Sequence, residues 1–148
     1  MTAIMVLHGP NLNLLGKREP EIYGNLTLVE INERLVKLGR ELQIEVRCIQ
    51  SNHEGELIDA LQEARTWAQG VILNAGGYTH TSVAIRDAIS AIIIPVVEVH
   101  LSNVDAREEF RHTSVISAVC RGKVTGFGWR SYMLALQGLA ELLEENGE

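Results

Sequence analysis

The spacing of its apolar runs constrains this chain more than any other feature. Residues 4–7, 44–49, 71–73 and 92–99, with a weaker run at 123–125, are short, β-type in composition and in several cases continuously apolar. Such runs suit strands covered on both faces, because a sheet with one wet face alternates apolar and polar residues. Between them lie stripes with helical spacing. Leu28, Ile31, Leu35, Leu38 and Leu42 advance by three or four residues, and Thr27 with Glu30 forms a capping box at the start of that stripe. Ser51 and Glu54 repeat the pattern ahead of Leu57, Ile58, Leu61, Ala64 and Ala68. A last stripe, Leu136, Leu139, Leu142 and Leu143, predicts a helix over about residues 132–145.

Strand and helix alternate along the whole chain, which predicts a parallel sheet with helices on both faces, since right-handed crossovers are the common way to join parallel neighbours. Five strands make this a flavodoxin-like three-layer α/β sandwich. No repeat, linker or low-complexity stretch divides it, so residues 1–148 read as a single catalytic domain, with the acidic end 141–148 as a frayed, solvated helix terminus. Ligands of such sheets bind beyond the carboxyl ends of the strands. The loops at those ends are therefore where chemistry is expected.

Charge and cysteine content narrow the partners. Thirteen basic against nineteen acidic residues leave a net charge of -6, a field that repels nucleic-acid backbones and anionic membrane surfaces. The first apolar run is too short for a signal peptide and lacks its basic flank, and no stretch is long enough to span a bilayer, so the cytoplasm is expected. Cys48 and Cys120, far apart and in no metal or redox spacing, read as buried thiols in a reducing compartment. Gly16-Lys17 lacks the preceding glycine and following Ser or Thr of a phosphate-binding loop, and Gly126-Phe127-Gly128 has Ser131 where a dinucleotide fingerprint needs its third glycine. His8, His53, His80, His100 and His112 show no short ligand spacing, so no metal is expected.

Polar groups gather where the strands end. After the first come His8, Asn11 and Asn13, then a long connection over residues 14–24 of the length often used as a functional lid. After the third come Asn74 and His80 around the Gly76-Gly77 pair, where backbone can approach a ligand closely. Glu98 and His100 stand two apart on the fourth strand, so both leave the same face, and a carboxylate beside an imidazole orients it and favours its protonated form. That pair suits either proton delivery or a satisfied buried contact. Tyr23 is either a loop anchor or, with Arg18 nearby, a phenolate.

The segments His8-Gly9-Pro10-Asn11-Leu12-Asn13-Leu14-Leu15-Gly16 with Arg18-Glu19-Pro20 and Tyr23-Gly24, Tyr78-Thr79-His80-Thr81-Ser82 with Ile85-Arg86-Asp87, and Glu98-Val99-His100-Leu101-Ser102-Asn103 with Arg107-Glu108 and Phe110-Arg111-His112 resemble the type II 3-dehydroquinate dehydratase family. The resemblance runs almost from end to end. It implies dehydration of 3-dehydroquinate to 3-dehydroshikimate through an enolate, without a cofactor, whether in the shikimate pathway of aromatic biosynthesis or in quinate breakdown. By that resemblance Tyr23 is the base, activated by Arg18; His100, supported by Glu98, is the acid; and Asn11 stabilises the enolate through water. Asn74 and the backbone amides of Leu101 and Ser102 would hold the substrate carboxylate, while His80 and Arg111 would bind ring hydroxyls. Asp87 would reach a neighbouring subunit's site in a homododecamer built from trimers. The chain departs from the family pattern at Ala75, Gly77, Asp105, Thr113 and Ser131, and the changes at 75 and 77 are expected to loosen the loop that carries Asn74 and His80.

Overall fold

A computed structural model of the chain describes residues 1–17 and 19–146. Five parallel strands, β1 (Thr2–His8), β2 (Ile44–Gln50), β3 (Gly70–Asn74), β4 (Val96–His100) and β5 (Gly122–Thr125), lie in the order β2-β1-β3-β4-β5. Helices α2 (Leu28–Glu41) and α5 (Arg130–Asn146) cover one face, and α3 (Glu54–Ala64) and α4 (Val83–Ile92) the other; α1 (Pro20–Tyr23) is a single turn within the long connection. The expected three-layer sandwich is therefore present. No helix among the described residues is long and apolar enough to cross a membrane.

Why β1 is continuously apolar follows from its two neighbours. Ile4 and Val6 enter the core beneath α2 and α5, whereas Met5 and Leu7 enter the core beneath α3 and α4. Each of the four is fully buried, which at about 2 kcal/mol per large side chain makes this strand an apolar anchor of both layers. The same alternation sorts the polar residues at the strand ends. His8 and Asn74 share the parity of Val6 and Ile72 and face α2 and α5, while Glu98 and His100 share that of Val96 and face the opposite layer.

Helix starts follow the sequence in one case and depart from it in another. Thr27 and Glu30 form the expected capping box at α2, each satisfying a backbone N–H of the other. At α3 the box does not form. Ser51 Oγ accepts from the His53 N–H and donates to Glu56, and Glu54 instead accepts a hydrogen bond from Ser82, so a contact with the next helix replaces the local one. The apolar run 92–99 is also not one strand: Ile92 ends α4, Ile93 turns the chain at φ 72°, and β4 begins only at Val96. A buried helix end and a buried strand have the same apolar composition, so the boundary is invisible in hydropathy alone. Leu42, placed on the α2 stripe, is the exposed C-cap. Cys48 and Cys120 are free thiols but only partly buried, and loss of hydration pushes each up to about 12. Of the acidic end, residues 141–146 continue α5, and Gly147 and Glu148 lie outside the described residues.

His8 has no contact with solvent, and burial drops its imidazole to about 4, with the hydrogen bond to Asn32 only partly opposing the shift. An unfolded histidine titrates near 6.5, so between these values the unfolded chain binds a proton that the native chain refuses. Stability is then whole above pH 6.5 and falls as pH drops toward 4, by about 3 kcal/mol in total from this one group. Urea denaturation at pH 7 and pH 4.5 is expected to show that loss, and His8→Asn to flatten it. Parallel pH dependence in the variant and the parent would contradict the assignment.

Candidate active site

Register brings the polar strand ends together. His8 pairs with Asn74 across β1 and β3, Leu73 pairs with Glu98 across β3 and β4, and the loops beyond them open a cleft of about 110 Å³. It lies over β1 and β3, where the strand order reverses and the crossovers diverge to opposite faces, the position at which such sheets leave a crevice. Close approach of the first and third loops needs a small residue at position 9. A Cβ on Gly9 would stand 2.7 Å from the carbonyl carbon of Ala75.

Most residues named from the sequence meet here: Asn11, Tyr23, Asn74, His80, His100, Leu101, Ser102 and Arg111 all line the cleft. Glu98 stands directly behind it. Its Oε2 accepts from His100 Nε2 at 2.6 Å, Oε1 accepts from Ser117, and the Lys123 ammonium lies 3.9 Å away. Burial alone would raise the Glu98 carboxyl, but these hydrogen bonds outweigh it and hold the group below the usual carboxylate range. A carboxylate can only accept, so Nε2 carries a proton and Nδ1 is the ring nitrogen that remains for exchange with a substrate.

His80 is stacked beside His100 with ring centroids 6.5 Å apart, and its Nδ1 lies 2.9 Å from the Thr113 carbonyl oxygen. That carbonyl fixes the proton on Nδ1 and leaves Nε2 as an acceptor. Desolvation, then the nearby His100 and Arg111, lower the imidazole despite the Thr113 carbonyl and the Glu98 carboxylate. The contact uses the backbone of Thr113 and does not depend on the side chain there. Asn11 sits at φ 70°, a conformation asparagine tolerates better than most residues, and its N–H donates to Asn52 Oδ1 at 2.9 Å. Asn52 in turn is held by Gln50, which also donates to the Gly9 carbonyl.

Asp87, expected at a neighbouring subunit's site, is exposed on α4, and Arg18 lies outside the described residues. Conversely, Arg107 lines the cleft although the sequence assigns it no role. Its guanidinium carbon lies 5.3 Å from the centre of the Tyr23 ring, Nη1 donates to Ser102 Oγ at 3.1 Å, and the side chain is only 14% exposed. An arginine in a short loop is ambiguous in sequence, because only the meeting of the β1 and β4 loops puts it over a phenol. His8 and Tyr132 are further polar groups that sequence reasoning leaves without a role: His8 Nδ1 lies 2.7 Å from Tyr132 Oη, which accepts from Asn74 Nδ2 at 3.2 Å. A polar residue continuing the parity of an apolar strand is the signal that points to His8.

Positions 75 and 77 differ in their surroundings: Ala75 is fully buried at φ -78°, whereas a Cβ on Gly77 would meet nothing within 4 Å. Ser131 is buried and its Oγ accepts from the Phe127 N–H at 3.0 Å, tying down the turn before α5.

Known proteins match this chain over almost its whole length. The family model described as dehydroquinase class II matches residues 2–140. The chain is 55% identical over 147 residues to the 3-dehydroquinate dehydratase of Ruegeria pomeroyi, covering 99% of each chain. It is 60% identical over 138 residues to that of an Exiguobacterium species, covering 93% of this chain and 94% of the relative. The crystal structure of type II dehydroquinase from Butyrivibrio crossotus superposes with a TM-score of 0.92 at 46% identity, over 93% of this chain and 97% of that one. With a fold, a cleft and three separated motifs that coincide in one place, the chain belongs to the class II dehydroquinase family.

Proposed function

We propose that the protein dehydrates 3-dehydroquinate to 3-dehydroshikimate by anti elimination, in the cytoplasm and without a metal or other cofactor. One observation carries the reading: a phenol beneath a guanidinium and an imidazole backed by a buried carboxylate line the same cleft. These are the two groups a proton abstraction and a proton delivery require.

An ordinary phenol titrates at about pH 10, so a phenolate base at neutral pH needs a cation beside it. Arg107 supplies one over Tyr23, and Arg18 is assigned the same task by family resemblance. Tyr23 takes the proton next to the ketone, and the electrons of that C–H bond move into an enolate. Asn11, through an ordered water, donates to the enolate oxygen. The enolate then expels the hydroxyl on the opposite face as His100 Nδ1 protonates it, giving water and a conjugated ketone. Glu98 accepts from Nε2 and so holds the His100 ring with Nδ1 toward the substrate.

Binding follows from donor placement. The net charge of -6 does not draw an anion, so the carboxylate depends on local donors, namely the Asn74 amide and the backbone N–H groups of Leu101 and Ser102 at the end of β4. His80 Nε2, an acceptor, and Arg111, a donor, suit ring hydroxyls. Arg111 is itself oriented by Glu108 at 2.9 Å. Asp87, exposed on α4, would complete the site of a neighbouring subunit in a dodecamer of trimers; a fully active monomer in light scattering would contradict that part.

Purified protein added to 3-dehydroquinate with a chelator present is expected to produce the ultraviolet absorbance of the conjugated product, and no change at high enzyme concentration would overturn the function. Tyr23→Phe is expected to abolish turnover while substrate still binds, and Arg107→Ala to lower kcat by about tenfold or more. Retention of more than about a tenth of kcat in Tyr23→Phe, a loss under about 1.4 kcal/mol, would exclude the phenolate as base. Glu98→Gln should impair kcat less than His100→Ala, because it weakens the acceptor that orients the imidazole but leaves the proton donor in place. A kcat equal to that of the parent would reduce Glu98 to a structural role.

A further inference from the structure

We infer that His8, Tyr132 and Asn32 form a positioning chain that sets the rotation of the Asn74 amide, so that one of its N–H bonds is held toward the cleft. The inference rests on the reading of Asn74 as a ligand of the substrate carboxylate. Neither His8 nor Tyr132 has a place in the elimination, yet both are fully buried polar side chains at the end of the sheet that carries the site.

Four contacts in series define the chain. The Gly76 N–H donates to Asn74 Oδ1 at 3.1 Å, Asn74 Nδ2 lies 3.2 Å from Tyr132 Oη, Tyr132 Oη lies 2.7 Å from His8 Nδ1, and His8 Nε2 lies 2.8 Å from Asn32 Oδ1. Their polarity is determined from the two ends. A backbone N–H can only donate, so the Asn74 atom facing Gly76 is its oxygen, and its nitrogen faces Tyr132. That nitrogen can only donate, so Tyr132 accepts there and spends its single proton on His8 Nδ1. Nδ1 then accepts, the ring proton sits on Nε2, and Nε2 donates to Asn32 Oδ1, which can only accept. One arrangement of protons satisfies every member. It requires a neutral imidazole and an un-ionised phenol, and burial favours both: it lowers His8 to about 4 and holds the Tyr132 hydroxyl well above the ordinary phenol range.

Asn74 Nδ2 bears two protons, and Tyr132 takes one. The other remains on an amide that lines the cleft, its plane fixed at the oxygen by Gly76 and at the nitrogen by Tyr132. The chain joins α2 through Asn32, β1 through His8, α5 through Tyr132 and the end of β3 through Asn74, so the orientation of one ligand is anchored in three further elements. All of its members are uncharged in this arrangement. It therefore supplies direction and not field, and its loss should weaken ground-state binding more than the chemical step.

The test is a double-mutant cycle on KM and kcat for 3-dehydroquinate, with thermal melting to check the fold. Tyr132→Phe, which removes only the hydroxyl, is expected to raise KM about tenfold and change kcat less than about threefold, as removal of one positioned hydrogen bond would. In the Asn74→Ala background the same change should add nothing, because its target is gone. His8→Leu should reproduce the Tyr132→Phe effect, and His8→Asn, whose Oδ1 can stand where Nδ1 was, should recover most of it. If Tyr132→Phe does not fold, that comparison of Leu with Asn at position 8 decides the question. Asn74→Ala raising KM while Tyr132→Phe and His8→Leu leave it unchanged would overturn the positioning chain alone. An equal Tyr132→Phe effect in both backgrounds would likewise overturn it. Wild-type KM in Asn74→Ala would instead remove the carboxylate reading, and the chain's purpose with it.

Discussion

The parallel register of β1, β3 and β4 is the constraint on which the rest of the structure depends. Backbone hydrogen bonds set His8 beside Asn74 and Leu73 beside Glu98, so three loops that are far apart in sequence start at one level of the sheet. A slip of one residue in any pair would turn Glu98 and His100, or His8 and Asn74, onto the wrong face. What prevents the slip is apolar. Ile4, Val6 and Ile72 fit only beneath α2 and α5, and Met5, Leu7, Val71 and Leu73 only beneath α3 and α4, so the hydrophobic effect that stabilises the fold also sets the site geometry.

Two buried polar systems lie on the two faces of that sheet, and they differ in kind. On the α3 and α4 side, Glu98 is an anion kept ionised by His100, Ser117 and Lys123. On the α2 and α5 side, Asn32, His8, Tyr132 and Asn74 make a neutral chain in which hydrogen-bond direction is the only content. The first suits a group that must carry and release a proton. The second suits a group that must hold still. Both are satisfied internally, as buried polar groups must be if they are not to cost several kcal/mol each.

Much of this architecture is legible in the amino-acid sequence. The five strands, the α2 capping box and most of the cleft residues follow from apolar spacing, local hydrogen-bonding chemistry and three motifs at strand ends. The places where local patterns mislead share a cause. The run 92–99 is apolar for two reasons, a helix end and a strand, and Ser51 with Glu54 matches a local pattern whose acid is taken by Ser82 on another helix. In each case a contact between distant segments decides what a window of neighbouring residues cannot.

The sequence by itself determined the class of fold, the loops that bear chemistry and the residue types available there, because periodicity and strand-end position are local properties of a chain. It also determined that Glu98 and His100 share a face, since side chains two apart on a strand must. Only the tertiary structure brought Arg107 from the β4 loop over the Tyr23 ring of the β1 loop. Only it joined His8 to Tyr132 across 124 positions and aimed Asn74 through them. The physical reason is that a hydrogen bond or a cation over a ring is fixed to within a fraction of an ångström, and that precision comes from packed helices and sheet register, not from spacing along the chain.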